Sequence, residues 1–237
     1  MRVMITGGTG FIGYHTVRSL LDAGHEVSLL VRSVDKMLNL YGEGCIERYT
    51  RGDITDVRKV RKAAGFVKTG HAGTLDPMAT GLLIVGIGRY TRLLRYVQGL
   101  PKEYEATAQF GVATDSLDAD GAIIERTPLP VTMSQLEKAA ERFRGPILQI
   151  PPMVSARKVE GKRLYQLARA GEVVEREARA VEIYELTITD LAPSDYPLVS
   201  FNVVCSTGTY VRTLGDDLAR AVGGRAHLTA LRRIRNG

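Results

Sequence analysis

The sequence predicts an α+β fold preceded by a short β-α-β segment. Three observations carry this. A glycine-rich turn sits between two β-branched runs in the first 31 residues. Beyond residue 56, strand-like segments outnumber helical ones and do not alternate strictly with them, as they would in an α/β protein. The chain has 237 residues, 44% of them hydrophobic and 24% charged, which is globular composition and excludes global disorder.

The elements follow in order. Arg2-Val-Met-Ile-Thr6 is a short apolar, β-branched run and reads as a buried strand. After Gly7-Gly-Thr-Gly10-Phe-Ile-Gly13, residues 14–23 place Val17, Leu20 and Leu21 at helical spacing, with Gly24 as the stop. Glu26-Val-Ser-Leu-Leu-Val31 is a second strand. In this context the glycines Gly7, Gly10 and Gly13 let backbone N–H groups approach a pyrophosphate at the helix N-terminus. Arg32, just past the second strand, stands where a 2′-phosphate of NADP would be met. A tight turn that binds nothing would use the same glycines.

Residues 56–64 form a helix with Val57, Val60 and Ala64 on one face and Arg58, Lys59, Arg61 and Lys62 on the other. Lys68 to Gly81 has three glycines, a proline and no period, so it reads as a structured loop, leading into the apolar run 82–87. Residues 104–111 alternate as a strand, and Thr114 to Gly121 is an acidic turn. Ser134 and Glu137 suggest a capping box for a helix ending near Phe143. Residues 162–170 read as a basic amphipathic helix, 181–189 and 198–205 as strands, and 213–222 as a helix.

Charge and cysteine content narrow the function classes. Net charge is +6, yet residues 1–57 hold 6 Lys+Arg against 7 Asp+Glu, so the remainder carries net +7. Such an excess favours a polyanionic partner through counterion release, or is simply a solvated basic surface. The apolar run at 81–88 is far too short to cross a bilayer, so no membrane association is expected. The N-terminus lacks the apolar core of a signal peptide. Two cysteines, Cys45 and Cys205, make neither a disulfide framework nor a zinc site, which suits a cytoplasmic protein. With four histidines, no metal centre is expected.

The best candidate for chemistry is Asp76, presented before Pro77 in Gly73-Thr-Leu-Asp76-Pro77. Proline fixes the local backbone and holds the carboxylate rigidly. A single aspartate serves as nucleophile or general base if a cation orients it, and Arg212 in Cys205-Ser-Thr-Gly-Thr-Tyr-Val-Arg212 is the candidate cation. Tyr104 and Tyr210 have the chemistry to stack on a planar base or to move a proton. An ordinary Asp-Pro turn, and a His71 that merely hydrogen-bonds within its loop, are the alternatives that pattern leaves open.

Two resemblances follow from these motifs. Thr6-Gly-Gly-Thr-Gly-Phe-Ile-Gly13 with Gly52-Asp-Ile-Thr-Asp56 resembles the start of an NAD-dependent epimerase/dehydratase, a partial Rossmann-like βαβ segment over residues 1–55. No Tyr-x-x-x-Lys pair occurs in the chain, so that family's proton-transfer residues are missing. Residues 56–237 resemble the tRNA pseudouridine-55 synthase family of the TruB type. The matching blocks are Lys68 to Leu83, Lys102-Glu-Tyr104, Thr114 to Gly121, Pro151-Pro-Met-Val-Ser-Ala156, Gly161-Lys-Arg-Leu-Tyr165, Ser206 to Arg212, and Ala226 to Arg233.

The second resemblance implies a pseudouridine-synthase-like mixed, mainly antiparallel sheet with flanking helices. It implies a cofactor-free isomerase that flips a uridine from the T loop of tRNA, breaks its N1–C1′ bond, and rejoins the base through C5. It gives Asp76 the role of nucleophile or base and Arg212 that of its partner. Tyr104 would stack on the base and Tyr210 would line the pocket. His71, Lys68, Thr69, Arg58 and Lys59 would contact RNA. The family also implies a monomer, and a Lys-Pro-x-Gly strand and an RNA-binding tail that this chain does not show. The alternatives are an NAD(P)-dependent epimerase or reductase fragment and an inactive RNA-binding fusion.

Overall fold

A computed structural model describes residues 2–46, 48–53, 57–63, 65, 68–152, 158–159, 162–163 and 176–237. The chain forms two compact units, one of residues 1–72 and 84–95, the other of residues 73–83 and 96–237.

In the first unit, β1 (Arg2–Thr6), β2 (Glu26–Val31) and β3 (Arg48–Arg51) make a parallel sheet in the order β1-β2-β3. Helices α1 (Phe11–Asp22) and α2 (Val34–Tyr41) connect them. The expected β-α-β segment is thus present, extended by a second helix and a third strand. Val17, Val27, Leu29, Val31, Met37, Tyr41 and Ile46 form its core. Glycine is required at two positions of the turn. Gly7 has φ +71°, and a Cβ on Gly13 would lie 2.1 Å from the Gly7 carbonyl oxygen. Helix α3 (Val57–Ala63) follows, and its Val60 is buried. Strands β4 (Thr69–His71) and β6 (Val85–Ile87) pair antiparallel, so the structured loop read from Lys68 to Gly81 begins in a short strand and the apolar run after it ends in one. A 3-10 turn, Gly88–Arg92, comes next.

The second unit is built on a six-stranded sheet in the order β10-β13-β14-β7-β15-β5. These are β5 (Thr80–Gly81), β7 (Lys102–Phe110), β10 (Gly145–Gln149), β13 (Arg179–Ala192), β14 (Leu198–Cys205) and β15 (Ala226–Asn236). All pairs are antiparallel except β15 with β5, so the sheet is mixed and mainly antiparallel, as expected. Hairpin β8 (Val112–Thr114) with β9 (Ile123–Arg126) spans the acidic turn. After the short α4 (Leu94–Gln98), helices α5 (Met133–Glu141) and α6 (Val211–Ala221) bury Leu136, Ala140, Leu214 and Leu218 in one core with Ala108, Phe110, Phe201 and Leu228 of the sheet.

The structure corrects three expectations. The capping box of α5 belongs to Thr132 and Gln135: the Thr132 hydroxyl accepts from Gln135 N, and Gln135 Oε1 accepts from Thr132 N at 2.9 Å. Ser134 and Glu137 have the same four-residue spacing but lie inside the helix. Lys162–Arg163 is not helical but a strand, β12, paired with β11 (Lys158–Val159); residues 164–170 of that expected helix lie outside the described residues. Residues 226–236, given no secondary structure from sequence, form a central strand.

Candidate active site

Asp76 is positioned by the turn that follows it, in which Ala79 N donates to the Asp76 carbonyl at 2.9 Å. Its side chain does not cap that turn. It receives a two-pronged hydrogen bond from Arg212, Nε to Oδ2 at 3.0 Å and Nη2 to Oδ1 at 2.9 Å. The planar guanidinium matches a carboxylate in this fork, fixing orientation as well as charge.

Arg212 lies in the first turn of α6. The residue before that helix is held from both sides. Gln149 Oε1 accepts from Tyr210 N at 2.9 Å, and its Nε2 donates to Tyr210 O at 3.3 Å. The third guanidinium nitrogen, Nη1, donates to Asp118 Oδ2 at 3.0 Å and to the Ser116 carbonyl at 2.8 Å. Asp118 is itself held by the Ser116 hydroxyl at 2.5 Å and by Asp120 N at 3.2 Å. One buried arginine therefore bridges two carboxylates. Its side chain is 4% exposed, that of Asp118 is 5%, and that of Asp76 is 30%. Asp76 is thus the open end of a buried chain.

Burial raises the Asp76 pKa above the ordinary carboxylate value, Arg212 pulls it back, and the charge of Asp118 raises it further. The balance leaves a carboxylate that is paired yet more basic than a surface aspartate. Such a group suits proton abstraction or attack on carbon.

Asp76, Arg212, Tyr104 and Tyr210 line one cavity of about 280 Å³, with Thr74, Lys102, Thr207, Leu231 and Arg233. This is near the lower edge of the range for small-molecule pockets, roughly 300–1,000 Å³. Tyr104 is buried on β7, opposite Val203 of β14 and Arg233 of β15. Burial pushes its phenol above the ordinary value, and Arg233 draws it back. The other wall carries Lys102 and Arg233, both at least 95% buried. Lys102 Nζ donates to the carbonyls of Gln98 at 3.0 Å and Leu100 at 2.8 Å. Arg233 Nε donates to the Leu82 carbonyl at 2.7 Å, and its Nη2 to that of Gly73 at 3.2 Å.

The structure thus brings together the four residues assigned to chemistry from sequence. Those assigned to RNA lie in the other compact unit, Arg58 and Lys59 on α3, and Lys68, Thr69 and His71 on or beside β4. Lys59 is exposed. Gly7, Gly10 and Gly13 form the turn at the start of α1, and Arg32 is exposed just after β2. Sequence reasoning missed Asp118, Gln149, Lys102 and Arg233 as contributors. Asp118, Lys102 and Arg233 all sit inside matching blocks, which was the available signal. Gln149 gave none.

The family model described as TruB family pseudouridylate synthase (N terminal domain) matches residues 61–211. The chain belongs to the TruB family. A second model, the NAD dependent epimerase/dehydratase family, matches residues 3–70. The TruB relatives include a tRNA pseudouridine synthase B of Symbiobacterium thermophilum, 51% identical over 179 residues, covering 75% of this chain and 60% of the relative. A tRNA pseudouridine synthase B of Protochlamydia amoebophila is 45% identical over 182 residues, covering 76% and 68%. A solved structure, "Crystal Structure of a Cbf5-Nop10-Gar1 Complex", aligns with TM-score 0.56 and 27% identity over 76% of this chain and 44% of that chain. The chain spans about 60% of the length of the first of these TruB relatives.

Proposed function

We propose that the protein converts a uridine of tRNA to pseudouridine, acting at position 55 in the T loop, with Asp76 as the essential carboxylate. The observation that carries this reading is the fork of Arg212 on Asp76 inside a pocket walled by Tyr104. The similarity to proteins named tRNA pseudouridine synthase B supports the substrate.

The chemistry asks three things of the pocket. The target uridine must leave its stack, at a cost of a few kcal/mol, and stacking on Tyr104 offsets part of that cost. The N1–C1′ bond must break, with its electron pair leaving on the base, while Asp76 attacks or deprotonates the ribose. The base must then turn and bond to C1′ through C5, which expels the Asp76 carboxylate from C1′ or is matched by return of the proton Asp76 took from the ribose; C5 then loses its proton and N1 gains one. Atoms and electrons balance without a cofactor. Arg212 keeps Asp76 aimed through these steps, and Asp118 keeps Arg212 aimed in turn. Backbone affinity comes from the basic residues, with Lys59, Lys68, Thr69, His71 and Arg58 assigned to the RNA.

The test is pseudouridine formation on a T-arm stem-loop RNA. Asp76→Asn is expected to lose turnover by roughly 10²–10⁴-fold or more while RNA binding persists. Near-normal turnover in that variant would remove Asp76 from the mechanism. The match of residues 3–70 to the epimerase/dehydratase model keeps a nucleotide-binding reading in view. A rise in melting temperature with NADP would favour it.

A further inference from the structure

The two walls of the pocket are electrically unlike. One holds a carboxylate paired with a guanidinium, Asp76 and Arg212, with Asp118 behind Arg212 and outside the cavity lining. The other holds two cations, Lys102 at 5% exposure and Arg233 at 1%. Among the described residues neither of these cations forms an ion pair. Both donate to backbone carbonyls, two apiece, and the Tyr104 phenol adjoins Arg233. Among the described residues, Nη1 of Arg233 is buried with no hydrogen-bond partner.

Burying two neighbouring cations with dipoles for company is costly, and leaving one N–H group unsatisfied adds to the cost. A fold keeps such an arrangement where an anion is to be met. Two kinds of anion arise on an RNA substrate: the backbone phosphates, and the base itself once its glycosidic bond has broken. A phosphate carries its charge outside the stack and is ordinarily met by exposed cations. The Lys102–Arg233 pair is buried beside Tyr104, with the guanidinium carbon of Arg233 6.0 Å from the Tyr104 ring centre. That is the wall nearest a base stacked on this ring.

We infer that Lys102 and Arg233 form an anion-stabilising wall for the uracil ring, taking up the negative charge the base carries while detached from C1′. The inference rests on the reading of the protein as a pseudouridine synthase. When the N1–C1′ bond breaks, its electron pair spreads over N1 and the ring oxygens. The cationic wall lowers the energy of that anion, and the charge is discharged when C5 bonds to C1′ and a proton reaches N1. The preorganised charge acts across the dry pocket wall at no reorganisation cost. Tyr104 positions the ring against it.

The experiment has two arms. In the first, single-turnover rates on saturating T-arm RNA are compared for the native protein, Arg233→Gln, Arg233→Lys and Lys102→Gln. Loss of charge is expected to slow the reaction roughly 10–10³-fold with RNA affinity and its salt slope little changed, and Arg233→Lys is expected to recover part of the rate. Weakened RNA binding with a shallower salt slope, and a full rate at saturation, would place a phosphate at the wall and overturn the inference. The second arm needs no turnover. Barbiturate, a uracil analogue that is anionic at neutral pH, is expected to bind the native protein at least ~10-fold more tightly than uracil, with the preference lost in Arg233→Gln or Lys102→Gln. Equal binding of the two would overturn the inference even if turnover is normal. Absence of turnover in the native protein would overturn the proposed function instead, while the barbiturate comparison still decides the wall. If Arg233→Gln does not fold, Lys102→Gln and the native barbiturate-to-uracil ratio decide it.

Discussion

Arg212 shares itself between two carboxylates, and this makes Asp118 a lever on Asp76. The negative charge of Asp118 raises the Asp76 pKa, so Asp118→Asn removes one of the causes that hold it up. If activity needs ionised Asp76, it falls as pH drops through that pKa. The variant is therefore expected to move the acid limb of the pH–rate profile to lower pH. A limb that stays in place, or moves up, would show that Asp118 acts through geometry alone. At this scale local pattern offered Asp76 and Arg212 as candidates but left an ordinary Asp-Pro turn open, and the resemblance of the surrounding blocks chose between the two. Lys102 and Arg233 were not legible, because a charged residue reads as solvent-facing until tertiary structure buries it. Gln149 clamps Tyr210 across 61 residues of sequence, and no local pattern reports such a bond.

Among elements, α5 shows how a local rule picks the right helix and the wrong boundary. Both Thr132/Gln135 and Ser134/Glu137 fit the capping spacing, and the structure uses the first. Thr132→Ala is expected to cost about 0.5–2 kcal/mol, and Ser134→Ala far less, measured by denaturant titration. Equal costs would deny the assigned cap. Strand β15 escaped notice for a different reason. Its burial alternates only in part, with register shifts between Leu228 and Ala230 and between Arg233 and Arg235. Each bulge resets the two-residue period, so an alternation test over Ala226–Asn236 sees noise. Strand β7, by contrast, pairs regularly with β14, and its inward residues Tyr104, Ala106, Ala108 and Phe110 carry a clean period.

For the molecule as a whole, the α+β class was legible from the count and order of strand-like runs, and the mainly antiparallel sheet only through the resemblance to the TruB type. Strand order was not legible, because β5 joins β15 across about 150 residues by backbone pairing that local sequence does not encode. The basic excess beyond residue 57 was legible as charge and has a measurable consequence. Binding of T-arm RNA is expected to weaken roughly 10–10³-fold between about 50 and 200 mM salt, with log Kd linear in log salt concentration. Salt-insensitive binding would mean that stacking, not phosphate contact, holds the RNA. The placement of β15 also bears on how the protein is made. It closes one edge of β7, yet more than a hundred residues separate the two strands. At about 5–20 residues per second, a ribosome needs roughly 5–25 s to reach β15 after β7 has been synthesised. During that interval the nascent chain carries an open, apolar strand edge, a docking point for chaperones and a hazard among crowded polysomes.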